Sequence, residues 1–304
     1  MRSAPAPALS RLPRLQPEFV AVVALCLLPT FAGLALFQWW PLVVAVRNSL
    51  LRFSPLNPDA AVWTGLDNYI GLFANERFLR AMLNTLVYIG GKLIIQMPLA
   101  LGLAMLLNRA LPGTRVVRGA VFAALVASEA VIALIWNIMF APDNGLVNVL
   151  VGQVGVPPQP FLTSQVQALP TILAMIVWKD IGFTMLILLA GLQTIPQEYY
   201  DAAAIDGAGP AARLRHITLP LLRRMILLAT FMATIAACRI FIPIALMTEG
   251  GPQDATVNAI YFMYQQAFQF QRMGDASATA VLVILLMIVI TLIQARLLRT
   301  EHEY

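Results

Sequence analysis

The feature that most constrains this chain is a succession of solid apolar runs. In 304 residues they lie near 19–46, 84–107, 117–140, 169–195, 225–247 and 276–297. At 1.5 Å per residue in a helix, each is long enough to cross a hydrocarbon layer about 30 Å thick. A water-soluble globule has no way to hide them all, since the chain is 60% hydrophobic and only 12% charged. The runs are continuous, whereas a membrane barrel alternates apolar and polar residues in segments of about ten. In lipid, helices satisfy their own backbone groups, and Pro29, Gly90, Gly91 and Pro98 are tolerated where neighbouring helices do the rest. The expected fold class is therefore all-α, a polytopic membrane protein with six transmembrane helices. The first run exceeds the roughly 7–15 apolar residues of a signal peptide, and others follow it, so it reads as a retained span.

Net charge is +5, which could point to nucleic acid, but the basic residues fall in short clusters between the runs. That distribution is a topology signal, and no nucleic-acid partner is expected. Arg2, Arg11, Arg14, Arg109, Arg115, Arg118, Arg213, Arg215, Arg223, Arg224, Arg296 and Arg299 share one side, and Arg47, Arg52, Arg77, Arg80 and Arg272 the other. The 141–168 connection holds no Lys or Arg. The richer side is expected to be cytoplasmic, with both termini on it. Residues 1–18, with four prolines, read as a disordered tail, and 19–304 as the transmembrane domain. Cys26 and Cys238 lie inside apolar runs, and His216 and His302 are isolated, so neither a disulfide framework nor a metal site is expected.

One connection is too long and too structured to be a simple link. Residues 194–222 exceed the roughly 2–8 residues that joining two helices requires. Pro196 suits a helix start, Gln197–Ile205 carries helix formers, and Gly207 and Gly209 supply a stop. A second short helix fits 211–217, and Pro220 can occupy a first turn. The result is a helix–Gly–helix elbow, with small Ala202, Ala203 and Ala204 permitting close approach of another surface. A linker resting on lipid headgroups remains the competing reading of these residues.

The spacing Asp201-Ala202-Ala203, three residues, Gly207, nine residues, Ile217-x-Leu219-Pro220 resembles the EAA motif of bacterial ABC importer permeases. Asp201 stands where that family usually has Glu, keeping the charge with a shorter reach. Gly65-Leu66-Asp67-Asn68-Tyr69, Asn84-Thr85-Leu86, Gly145 with Asn148, Leu189-Ala190-Gly191-Leu192 and Thr248-Glu249-Gly250-Gly251-Pro252 with Thr256 are similar, in order, to its carbohydrate-uptake branch, of the maltose and glycerol-phosphate permease type. Family members often carry an acidic residue after the Phe matching Phe241, where this chain has Ile242.

The resemblance implies the ABC importer permease (MetI-like) fold and a coupling helix in 194–222, with Asp201, Ala202, Ala203, Asp206, Gly207, Ile217, Leu219 and Pro220 contacting an ATPase subunit. It implies a homologous second permease subunit, two ATP-binding cassette subunits that bind ATP and Mg, an extracytoplasmic solute-binding protein, and a bacterial inner-membrane location. The solute class it implies is a sugar or a glycerol-phosphate derivative. The chain itself lacks a G-x-x-x-x-G-K-[ST] phosphate loop, so no cofactor is expected in it and it is expected not to be an enzyme.

Five ionisable residues, Lys92, Glu129, Lys179, Asp180 and Arg239, interrupt the spans. Each costs about 2.5–3.5 kcal/mol at a bilayer centre unless it faces protein or water. Ion pairing between helices, for instance Lys92 with Glu129 and Asp180 with Arg239, is one account of them, and a polar solute path to which Trp136, Asn137 and Trp178 add stacking faces and hydrogen bonds is another. On the other side, Leu66, Tyr69, Ile70 and Phe73 recur at helical spacing, as in a helix lying along the membrane surface. The 247–275 loop, with Glu249 and Asp254, is the candidate contact for an external binding protein. Two rival functions are an ion-coupled carrier using Glu129 or Asp180, and a membrane enzyme, for which the cytoplasmic loops hold no cluster of catalytic residues.

Overall fold

The computed structural model describes residues 17–108 and 112–298. The expected tail lies almost wholly outside these, as do Arg109, Arg299 and His302. Residues up to Arg47 form one compact unit and those from Asn48 onward a second. In the first, α1 (Pro17–Leu34) passes through a π-helical turn at Ala35–Trp39 into α2 (Trp40–Ser49), whose last residues enter the second unit. Leu25–Ser49 is long and apolar enough to span a membrane.

The second unit opens with something the all-helical expectation lacks. β1 (Leu51–Ser54) and β2 (Asn57–Trp63) form an antiparallel hairpin, Leu51 opposite Trp63 and Ser54 opposite Asn57. It escapes a search for apolar runs because β2 is exposed along its whole length and so carries no buried face to pattern. The amphipathic helix expected near 66–73 is present as α3 (Asp67–Phe73). Its Leu66, Ile70 and Phe73 are exposed while Asn68 and Leu72 are buried.

The second span, α4 (Glu76–Leu107), begins eight residues before the expected 84. Its first turns carry charge and read as a connection, yet the Asn75 side chain caps the helix by accepting from the Arg77 and Phe78 amides at 3.0 and 3.3 Å. The third span is not the single helix expected over 117–140. α5 (Thr114–Val126) and α6 (Glu129–Met139) meet at 99°. Ala127 and Ser128, at ψ 144° and 129°, leave the helical region and end the hydrogen-bond ladder. Glu129 then starts a new helix, where its carboxylate meets the positive end of the helix dipole.

The bent pair begins beside the C-terminal end of α4 and ends against the later short helix Ile242–Met247. At its start, Arg118 Nη2 donates to the Leu107 carbonyl, 2.6 Å away at the C-terminal end of α4. Beyond its end, 141–168 includes α7 (Leu146–Gly152), and Gln165 there bonds Gln253, whose carbonyl accepts from Arg80 near the start of α4.

α8 (Ala168–Gln193) is the central helix, with 56% of its most apolar stretch buried against 28% for α4. Backbones approach it closely: a Cβ on Gly91 of α4 would meet Leu173 at 2.6 Å, and one on Gly182 would meet the Val121 carbonyl oxygen of α5 at 2.7 Å. Next come α9 (Gln197–Ile205), α10 (Pro210–Arg213), a π-helical stretch Leu214–Thr218 and α11 (Leu219–Leu221).

The fifth span is interrupted too. α12 (Arg223–Cys238) stops at Arg239, and α13 (Ile242–Met247) restarts with Pro243 in its first turn, where a missing N–H is harmless. α14 (Ala259–Tyr264), a π-helical stretch Gln265–Gln269 and α15 (Met273–Leu298) complete the unit.

Two apolar clusters form its interior. One includes Phe78, Tyr88, Ile172, Met175, Ile244 and Phe262, the other Ala100, Ala104, Met185, Leu188, Leu222 and Ala229. On α4 the gap between them holds Lys92 and Gln96, and on α8 it holds Asp180 and Thr184. A polar layer thus divides the interior.

Candidate functional site

Dispersion and burial hold the two apolar clusters together, so what sits between them must justify its desolvation. Spacing along the helices places it: 92 and 96, like 180 and 184, are four apart and share a helix face. Lys92 Nζ lies 2.6 Å from Asp180 Oδ2, and Lys179 Nζ lies 3.6 Å from Asp180 Oδ1. Gln96 Nε2 donates to Thr184 Oγ1 at 2.6 Å.

The sequence-derived pairs are therefore corrected. Lys92 pairs with Asp180 instead of Glu129, because α4 and α8 pack face to face while the break at 127–128 sets Glu129 across a cavity. Arg239, in the gap between α12 and α13, forms no ion pair with Asp180.

All five intramembrane charges nevertheless converge. Lys92, Glu129, Lys179, Asp180 and Arg239 line one cavity of about 520 Å³, together with Gln96 and Thr184. Lys92 is fully buried, whereas the side chains of Lys179 and Asp180 are 14% and 23% exposed, so a solute in the cavity would meet the latter two more readily.

Trp136, Asn137 and Trp178 do not join this group. Trp136 stacks on Phe140 at 5.0 Å and tilts against Trp178 at 5.8 Å. Asn137 donates to the Leu246 carbonyl at 2.9 Å, tying α6 to α13. Trp178 lines a separate apolar cavity between α4, α5 and α8. Gln96 and Thr184 are the polar cavity residues that sequence reasoning missed, although their i+4 spacing from Lys92 and Asp180 was visible.

The second candidate site is the elbow. α9 ends as residue spacing implies: Gly207 takes φ +76°, its N–H donates to the Ala204 carbonyl at 3.1 Å, and the Ala208 N–H to Ala203 at 2.8 Å. This doubled bond is a Schellman stop, which a residue with a Cβ enters only under strain. Arg213 Nε caps the Ala208 carbonyl at 2.8 Å, and the Tyr200 hydroxyl meets Thr218 Oγ1 at 3.1 Å, clamping α9 to the return stretch.

Asp201, Ala202, Asp206, Gly207 and Pro220 are exposed, and Ala203, Ile217 and Leu219 half-buried. Asp201 accepts from Gln197 Nε2 at 3.1 Å. Ile205, which the motif spacing did not single out, stands 88% exposed at the tip of α9. Its signal was one β-branched apolar residue between Ala204 and Asp206.

The loops at the other end are held by side chains bonded to backbone. Asn84 Nδ2 donates to the Val257 carbonyl at 2.8 Å, Thr85 Oγ1 accepts from the Ala259 amide at 2.9 Å, and Thr248 and Thr256 hydroxyls meet at 2.8 Å. The 247–275 loop is thus an ordered cap over the start of α4, fixed also by the Arg77–Asp254 ion pair at 2.9 Å.

Comparison with known proteins accords with this arrangement. The chain is 32% identical over 281 residues to the sn-glycerol-3-phosphate transport system permease protein UgpA of Yersinia pestis, covering 92% of this chain and 95% of that protein. It is 32% identical over 282 residues to the trehalose/maltose transport system permease protein MalF of Thermococcus litoralis, covering 92% and 94%. A chain of a bacterial ABC transporter involved in import of the acidic polysaccharide alginate shares the fold, with a TM-score of 0.81 at 23% identity over 94% of this chain and 98% of that one. Residues 70–300 match the model of the binding-protein-dependent transport system inner membrane component. The chain belongs to that family of transport subunits.

Proposed function

We propose that this chain forms half of the translocation path of an ATP-driven importer for a polyhydroxylated solute of the sugar or glycerol-phosphate type. A homologous second permease supplies the other half. Two ATP-binding cassette subunits bind ATP and Mg and hydrolyse the nucleotide, and an extracytoplasmic solute-binding protein delivers the solute. The importer sits in a bacterial inner membrane, with both termini of this chain in the cytoplasm, 1–18 a tail and 19–304 the transmembrane domain. Family membership favours this over an ion-coupled carrier, and a transport subunit performs no covalent chemistry.

The observation that carries the reading is the elbow. A Schellman-stopped helix presents an 88%-exposed Ile205 beside small Ala202 and Ala203. An apolar tip on a rigid, otherwise polar projection fits a groove on a soluble protein. In this reading Asp201, Ala202, Ala203, Asp206, Gly207, Ile217, Leu219 and Pro220 pass ATPase closure to α8 and α12. The cavity is the solute's way-station: Lys179, Arg239 and Glu129 offer donors and an acceptor, while Lys92 and Asp180 neutralise each other. The five charges sum to +1, three basic against two acidic, which suits a hydroxylated solute with or without a phosphate. Trp136, Asn137 and Trp178 line no part of the charged cavity and would contribute only outside it.

The test is uptake by proteoliposomes holding the full complex with ATP inside. Replacing Ile205 with Asp is expected to abolish ATP-dependent uptake and ATPase co-purification while the chain still inserts. Unchanged uptake would refute the coupling assignment.

A further inference from the structure

At the interface end of α4 and α15 a second polar cavity of about 540 Å³ is enclosed by the hairpin, α3, the Gln265–Gln269 stretch and the first turn of α15. It is separate from the charged cavity: Asn75 lines one and Lys92 the other, seventeen residues or roughly 26 Å apart along α4. Its walls carry two arginines, Arg52 and Arg272, and two carboxylates, Asp67 and Asp275. They also carry two amide oxygens without a hydrogen-bond partner, Gln266 Oε1 and Gln271 Oε1. Gln266 is only 5% exposed, so its oxygen lacks water as a substitute.

Unpartnered acceptors beside carboxylates call for a ligand with several N–H donors, and Arg52, together with Arg272, whose contact with Asp275 is a loose 4.0 Å, can take an anion. The depth of the site narrows the choice. It lies where two spans begin, and the surface beside it is apolar, with Leu66, Ile70, Phe73 and Phe268 all more than half exposed. Such a surface faces acyl chains at the headgroup level.

We infer that this cavity binds the headgroup of an aminophospholipid, its phosphate on Arg52 and Arg272 and its primary ammonium turned to Gln266, Gln271, Asp67 and Asp275. The bilayer presents such a headgroup continuously, so a modest affinity keeps the site filled. The inference depends on the membrane spans and not on which solute is imported.

The experiment titrates the delipidated, purified complex in detergent with short-chain phosphatidylethanolamine, phosphatidylcholine and phosphatidylglycerol, reading thermal stabilisation and native mass spectra. Phosphatidylcholine keeps the phosphate and positive charge but lacks N–H donors. Two lost hydrogen bonds should weaken it about tenfold relative to phosphatidylethanolamine. Gln271→Leu and Asp275→Asn should erase that preference while leaving the response to phosphatidylcholine. Gln271→Glu retains an acceptor and should keep it, which separates lost recognition from misfolding. Equal binding of the two zwitterions, tighter binding of phosphatidylglycerol, or displacement by methyl glucoside would each overturn the inference, the last by making the cavity a polyol subsite.

Discussion

The Lys92–Asp180 pair is asymmetric, and the asymmetry decides what its two halves do. Lys92 is fully buried with Asp180 at 2.6 Å, whereas Asp180 is 23% exposed and keeps Lys179 at 3.6 Å. Removing the carboxylate strands a buried cation, and such losses run to about 3–5 kcal/mol. Removing the lysine leaves a partly solvated carboxylate with a second partner. Asp180→Asn is therefore expected to lower the unfolding midpoint of the purified chain markedly, with Lys92→Met costing roughly half as much. Equal losses would mean that the pair is solvated. Lys179→Ala should instead shift solute affinity, measured as solute-dependent ATPase activity, while unaltered affinity with reduced thermal stability would assign Lys179 to the ion-pair network alone. The charges themselves were legible because intramembrane charge is expensive. Their pairing was not, since it depends on which faces of α4 and α8 meet and on a break that turns Glu129 aside.

Elements ended where short-range chemistry was strong. Gln197–Ile205 forms within the bounds that Pro196 and Gly207 mark, because both act through local backbone geometry. Gly207→Ala retains a helix stop but forces a Cβ into the left-handed region, a strain of about 1 kcal/mol. The elbow should loosen and ATP-dependent uptake fall severalfold, with Gly207→Pro and a bulky residue at Ala203 abolishing it and membrane insertion unchanged in each variant. Uptake equal to that of the parent in all three would remove the elbow from coupling. The breaks at 127–128 and 239–241 were harder to see, because each carries a single charge, Glu129 or Arg239, inside an otherwise long apolar run. Ser128-Glu129 is a serine-then-acid helix start and Pro243 a first-turn proline, yet inside long apolar runs these signals compete with the expectation of one uninterrupted span. The hairpin was illegible for the opposite reason, having no buried face. The tripeptides that carried the resemblance, Asn84-Thr85 and Thr248 with Thr256, turn out to bond loops to helix ends, a role that spacing alone does not disclose.

For the whole molecule the parity of the chain turns on the bent pair. Five helices are long and apolar enough to cross a membrane among the described residues, and six crossings result only if α5 and α6 count as one. With five, the termini would lie on opposite sides and the basic residues would divide without pattern. With six, twelve arginines fall on one side and five on the other, and the 141–168 segment, free of Lys and Arg, would face outward. The bonds from Arg118 to Leu107 and from Asn137 to Leu246 favour six, because they place the start of the pair beside the C-terminal end of α4 and its end beside α13, at the far end of the fifth span from Arg223. Alkaline phosphatase, active only outside the inner membrane, reports the difference. Fused after residue 158 it should be active, and fused after 222 or 298 inactive, with a green fluorescent protein at 298 fluorescing. Activity at 222 and 298 with none at 158 would place the carboxyl end outside and detach α9 from any cytoplasmic ATPase, since a coupling projection can work only on the side where ATP is hydrolysed.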